Sequence, residues 1–271
     1  MNASLQNKIS AIRGKKSFLR NWELLVELLK IQLNFKQNNS FLIRLWFFLE
    51  PFVFAMIFVL MREFLTGADT RHQIDYLGMF AVVIMWQFFT FSFQKSSNSL
   101  LKNKSLIKSF DFPLVLLPIS AVLTVFLGTF VNLLILFFLE FLIKKIIYVD
   151  ILSLFSVLAV STIFMSAFCV LYAVAQYFMK DLSYLVPIIN RLTLIAFPLF
   201  YGPEKIPVKF QFLYLHIPPI WMIAKTKDIV GDSLTVPSFV TFDVTCISIL
   251  FLLIVFFFLQ FYFESLVKNK V

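Results

Sequence analysis

Polar side chains recur at helical spacing inside otherwise apolar stretches of this chain. Gln87, Thr90 and Gln94 follow one face of one such stretch, and Ser161, Met165, Phe168, Tyr172 and Gln176 follow one face of another. Residues three or four apart share a helix face, and a polar stripe on an apolar helix faces protein or water, not lipid. Such stripes could line a route for a polar substrate, with the rings of Phe168 and Tyr172 offering stacking surface to sugar rings. The competing role is hydrogen bonding from helix to helix. Arg191 lies about six residues, or roughly 9 Å at 1.5 Å per residue, inside a third stretch. A charge at that depth needs a partner. Glu50 is the internal candidate, and an anionic lipid phosphate is the functional one.

Other chemistry is not visible. None of the six glycines stands in a GxxxxGK[ST] arrangement, so no phosphate cradle of the P-loop kind is present. His72 and His216 lack Cys, His or carboxylate neighbours at ligand spacing, which leaves no expected metal site. Neither a GxSxG elbow nor a nucleophile-base pair can be defended. The expectation is a chain that is not an enzyme. Cys169 and Cys246 both fall in apolar stretches and read as small packing residues.

The elements that must position these residues follow from hydrophobicity. Hydrophobic residues make up 60% of the 271, and Phe alone occurs 37 times. A bilayer core needs roughly 20 apolar residues of helix, and six such runs are read at 45–61, 74–93, 113–143, 151–179, 185–201 and 245–263. Continuous apolar runs, in place of alternating ones, exclude a transmembrane barrel. The predicted fold is an all-α polytopic membrane protein of six spans, with residues 1–44 as a cytoplasmic N-terminal segment and 45–271 as the membrane domain.

The net charge of +9 is placed for a membrane and not for nucleic acid, which is not an expected partner. Lys and Arg concentrate before the first span, in the 94–112 loop and at the C-terminus, while the opposite segments hold fewer. Basic residues mark the cytoplasmic side, so both termini are expected inside. The N-terminus carries charges and amides where a compact apolar core would stand, so no cleavable signal peptide is expected.

Between Ser17 and Lys36, Trp22, Leu25, Val26, Leu29 and Leu33 share one helix face, and Arg20, Glu23, Glu27, Lys30 and Asn34 share the other. That pattern predicts an amphipathic helix in the cytoplasmic interface, touching membrane lipids; packing on a soluble partner is the alternative. The 94–112 loop, ending before Pro113, predicts a short basic helix under the membrane. Residues 202–243 contain five prolines yet are too apolar for a solvated loop. Short apolar helices broken by proline predict a re-entrant outer hairpin before the last span, with a surface-lying hairpin as the alternative.

This order of elements resembles the membrane subunit of the type-2 ABC exporters that carry lipid-linked polysaccharides: the permeases for capsule, O-antigen and wall teichoic acid. The likeness is carried by Leu49-Glu50-Pro51, Trp86 with Phe88 and Phe89, Ser99-Leu100 through Asn103, Leu106-Ile107, and Phe112-Pro113 to Pro118. Further on it includes Lys180-Asp181, Leu185-Val186-Pro187, Phe197 to Tyr201, and Ile206-Pro207. The chain departs from the family pattern at Lys180, at Ile217-Pro218 and around Lys225 and Lys227, where arginine, Asn-Pro and arginine are usual.

The resemblance implies a homodimer in the bacterial plasma (inner) membrane, bound to two copies of a separate ATPase subunit that holds ATP and Mg, with no cofactor in this chain. The substrate would be a glycan or polyol phosphate on a lipid anchor. Lys102, Asn103, Leu106, Ile107 and Lys108 would form the coupling helix against the ATPase, with Lys180 and Asp181 as a smaller second contact. Gln87, Thr90, Gln94, Phe168, Tyr172, Gln176 and Arg191 would line the substrate path, and Phe212, Tyr214 and Trp221 would belong to the outer gate. The alternatives are a permease of the same fold for a drug, lipid or haem, and a membrane scaffold without transport.

Overall fold

A computed structural model of the chain describes residues 17–37, 41–66, 76–103, 107, 113–144, 150–199, 206–230, 236 and 238–258. Among them the chain is helical and contains no strand. The helices are α1 (Ser17–Gln37), α2 (Phe41–Thr66), α3 (Tyr76–Ser97), α4 (Ser99–Lys102), α5 (Leu116–Lys144), α6 (Ile151–Phe178), α7 (Leu185–Ala196), α8 (Val208–Leu215), α9 (Pro218–Val230) and α10 (Ser238–Phe258). A 3-10 turn, Lys180–Tyr184, joins α6 to α7.

The helix ends follow local chemistry. Asp150 caps α6 from an extended backbone, accepting from the amides of Leu152 and Ser153 at 3.1 and 3.3 Å, so two donors that the helix leaves unpaired are satisfied. Phe197 precedes Pro198, and a residue in that position is pushed out of the α region. At φ −84° and ψ 146° it ends α7 after 12 residues. At about 1.5 Å per residue that helix is roughly 18 Å long, shorter than the 185–201 run promised. Pro218 and Pro219 open α9, where their missing amide hydrogens leave no gap.

α5 and α6 are long and apolar enough to cross a bilayer, over Leu116–Leu142 and Ile151–Phe178. α2 and α10 carry shorter apolar stretches, Leu49–Met61 and Val240–Val255. α2, α3, α5 and α6 overlap the first four apolar runs, α7 covers only Leu185–Ala196 of the fifth, and α10 begins seven residues before the expected 245.

α3 is the centre of the assembly, with α2, α5, α6, α7 and α9 packed against it. Residues 81–90 are all buried. Near its end Ser92, Ser96 and Ser97 are fully buried, and side chains this small let neighbouring backbones approach closely. The main apolar core runs along α3 and includes Phe58, Ile84, Met85, Phe88, Leu133 and Trp221. A second cluster gathers Leu28, Leu100, Leu114, Leu117, Val170 and Val255, with Ile107 against it.

α1 packs on α5 with a face that the sequence pattern did not single out. Leu24 and Leu28 are buried, and the Gln32 amide donates to Ser120 Oγ at 2.9 Å and accepts from Thr124 Oγ1 at 2.8 Å. On the face that the pattern did single out, Trp22 is 61% exposed and Leu25, Val26, Leu29 and Leu33 are half-buried. Outward apolar side chains also line α2, α5, α7 and α10, among them Ile57, Phe138, Leu192 and Leu253. An apolar surface this extensive requires a bilayer or a partner to cover it.

Candidate functional site

α3 and α7 meet in an antiparallel seam built from polar groups. Trp86 Nε1 donates to Thr193 Oγ1 at 3.1 Å, and one turn further Asn190 Nδ2 reaches the Thr90 carbonyl at 3.4 Å. Thr90 Oγ1 contacts the Gln87 carbonyl at 3.2 Å. Gln87 is buried, and its Nε2 finds no acceptor among the described residues; Asn190 Oδ1 is likewise unmatched. An amide left so is expensive in a dry interior. Gln94, at the end of the same stripe, is exposed.

Arg191 stands on the outward face of α7, next to Ile188, Leu192 and Ile195, which are all exposed. No ion pair joins it to Glu50 among the described residues. Trp86 sits between α2 and α7, its ring 5.8 Å from Phe58 and 6.5 Å from Phe54, so the outward faces of α2 and α7 flank the same part of α3.

The stripe on α6 divides in two. Ser161 Oγ donates to the Val157 carbonyl of its own helix at 2.7 Å, satisfying itself locally. Phe168 stacks near Phe164 and Phe93, with ring centroids 6.0 and 5.6 Å away. Tyr172 and Gln176 each hold a connecting segment. Tyr172 Oη donates to the Leu182 carbonyl of the 3-10 turn at 2.8 Å, and Gln176, fully buried, donates to Asn98 Oδ1 at 2.8 Å in the break between α3 and α4.

In the segment after α3, Lys102 is exposed and Asn103 folds back to the Ser99 carbonyl at 2.8 Å. Ile107 is half-buried against the second apolar cluster, so part of its surface is already used within the chain. Leu106 and Lys108 lie outside the described residues. Lys180 and Asp181 are both exposed in the 3-10 turn.

The α8–α9 segment separates its three candidate residues. Trp221 is 1% exposed in the main core, whereas Phe212 is 63% exposed. Tyr214 Oη donates to the Ala196 carbonyl at the end of α7, at 2.7 Å. Lys227 is buried, and Lys225 pairs with Asp228 at 2.6 Å.

Sequence reasoning missed the fastening at the junction of α8 and α9. The ring of His216 lies 4.1 Å from that of Phe212, its Nδ1 is 2.7 Å from the Phe212 carbonyl, and its Nε2 is 3.3 Å from Asp243 Oδ2 on α10. Twenty-seven positions separate His216 from Asp243, and no local pattern announces such a pair.

No family model matches the chain. It is similar to the O-antigen export system permease protein RfbA of Klebsiella pneumoniae, at 26% identity over 213 residues, covering 77% of this chain and 80% of that protein. The likeness spreads over most of both chains.

Proposed function

We propose that this chain is the transmembrane subunit of an ATP-driven ABC exporter that moves a lipid-linked polysaccharide or polyol phosphate from the cytoplasmic to the outer leaflet. The observation that carries the reading is the likeness to an O-antigen export permease along most of the chain. In this reading the chain crosses the inner membrane six times with both termini inside. α1 lies in the cytoplasmic interface, and α8 and α9 form a re-entrant outer hairpin. Two copies assemble with two ATPase subunits, which bind and hydrolyse the nucleotide.

The exposed charge of Arg191 on an apolar face supports a shared route between two copies, because a guanidinium held against lipid is costly. Arg191 and Gln94 are the path residues a substrate reaches without helix separation. Gln87 and Gln176, sealed between helices, would meet it only when α3 parts from its neighbours. Lys102, Lys180 and Asp181 offer exposed charges for docking the ATPase, with Ile107 bracing the loop from behind.

The test is deletion of the gene and complementation. Loss should strip the cell surface of its glycan and leave lipid-linked glycan in the cytoplasmic leaflet. Wild type should restore export, while Arg191→Gln, present in normal amount, should not. An unchanged surface after deletion, with no lipid-linked glycan accumulating, overturns the reading.

A further inference from the structure

The two carbonyl contacts made by Tyr172 and Tyr214 lie at opposite ends of one continuous line of rings. Tyr172 Oη holds the Leu182 carbonyl at 2.8 Å, and its ring meets Phe93 edge to face at 4.7 Å. Phe93 stacks on Phe89 at 6.4 Å, and Phe89 meets Phe197 edge to face at 5.1 Å. Phe197 ends α7, and the carbonyl just before it, that of Ala196, accepts from Tyr214 of the hairpin at 2.7 Å. Phe93, Phe89 and Phe197 are buried, at 0, 5 and 5% exposure, so none of these rings can move without displacing its neighbour. Packed interiors shift between discrete arrangements and do not deform smoothly.

We infer that Tyr172 and Phe93 are positioning residues, which couple the placement of the Lys180–Tyr184 turn to the placement of the α8 hairpin. Each end is touched by one tyrosine hydroxyl, and the buried rings between them run beside α7, the helix that leads from the turn to Ala196. A shift of the turn pulls on Tyr172, tilts Phe93 and Phe89, and reaches Phe197 and the carbonyl that Tyr214 holds. Calling the two ends the ATPase side and the outer gate rests on the proposed transport function. The coupling between them does not, so the exchange experiment and the export experiment can fail separately.

The test is hydrogen exchange on the full chain in lipid nanodiscs. Tyr172→Phe deletes one hydroxyl and keeps the ring. Exchange should rise about fivefold at 180–184, the effect of one net hydrogen bond, and about twofold or more at 208–215 as well. Coupling between sites is reciprocal, so Tyr214→Phe should in turn raise exchange at 180–184. Phe93→Leu, which leaves both hydroxyls in place, should raise exchange at both ends. Phe130→Leu breaks a comparable stack with Phe155, at 4.6 Å and off this line, and should leave 208–215 unchanged. An effect of Tyr172→Phe confined to 180–184, or an equal effect of Phe130→Leu on the hairpin, overturns the inference.

Discussion

At the scale of single residues, Asp150 shows how one side chain can set a helix start and its response to acid. Its carboxylate accepts from Ser153 Oγ at 2.5 Å and from two backbone amides, and the bond from the Ser153 hydroxyl does most to hold it below its ordinary value of 3.8. A depressed carboxylate contributes stability that is present above the ordinary value and is lost as pH falls through the folded one. Wild type in detergent should therefore lose thermal stability below about pH 4 more steeply than Asp150→Asn, which still caps the helix but cannot ionise; parallel melting curves between pH 5 and 2 would contradict this. The signal was in the sequence, as an Asp three residues before a Ser in front of an apolar run. Lys227 was not legible in the same way. Read along the chain it is one of the few basic residues of an outer segment, and the packing of α9 against α3 and α6 buries it.

At the scale of elements, helix existence was legible and helix orientation was not. Apolar runs mark where helices lie by their length and continuity, but α1 could bury either of two faces. Its choice of Leu24, Leu28 and Gln32 depends on Ser120 and Thr124, about ninety positions away. Gln32→Ala removes both interhelical bonds. Ser120 and Thr124 keep their bonds to the Leu117 and Ser120 carbonyls, so no hydroxyl is stranded. The expected loss is about 1–2 kcal/mol of docking energy, read as about fivefold or more faster exchange in 17–37 with α5 unchanged. The α8–α9 segment gives a second test. Cysteine at Trp221 should resist impermeant thiol reagents whatever covers the protein, since that site is inside the core. Cysteine at Phe212 is shielded only if lipid or a second copy covers the outward face of α8, so it decides the matter: slow labelling in membranes that becomes fast in detergent fits a re-entrant hairpin, and equally fast labelling in both rules it out.

At the scale of the molecule, hydropathy and burial diverge. The two helices long and apolar enough to cross a bilayer, α5 and α6, each turn one side outward, whereas α3, interrupted by Gln87, Thr90, Ser92 and Ser96, is enclosed by five neighbours. Polar residues tolerated at a protein centre would be penalised at its rim, so the sequence already hinted which helix lies inside. Its partners could not be read, because contacts such as Asn98 with Gln176 join segments 78 positions apart. That enclosure has a consequence in time. Of the five helices around α3, only α2 precedes it on the ribosome, so the helix least suited to lipid waits for most of its shelter to be synthesised. The vulnerable species is then the half-made chain. In pulse-chase labelling, a chain stopped at residue 112 should be degraded rapidly. One stopped at 199, with α5, α6 and α7 in place, should survive markedly longer, and equal lifetimes would show that α3 does not depend on its later neighbours.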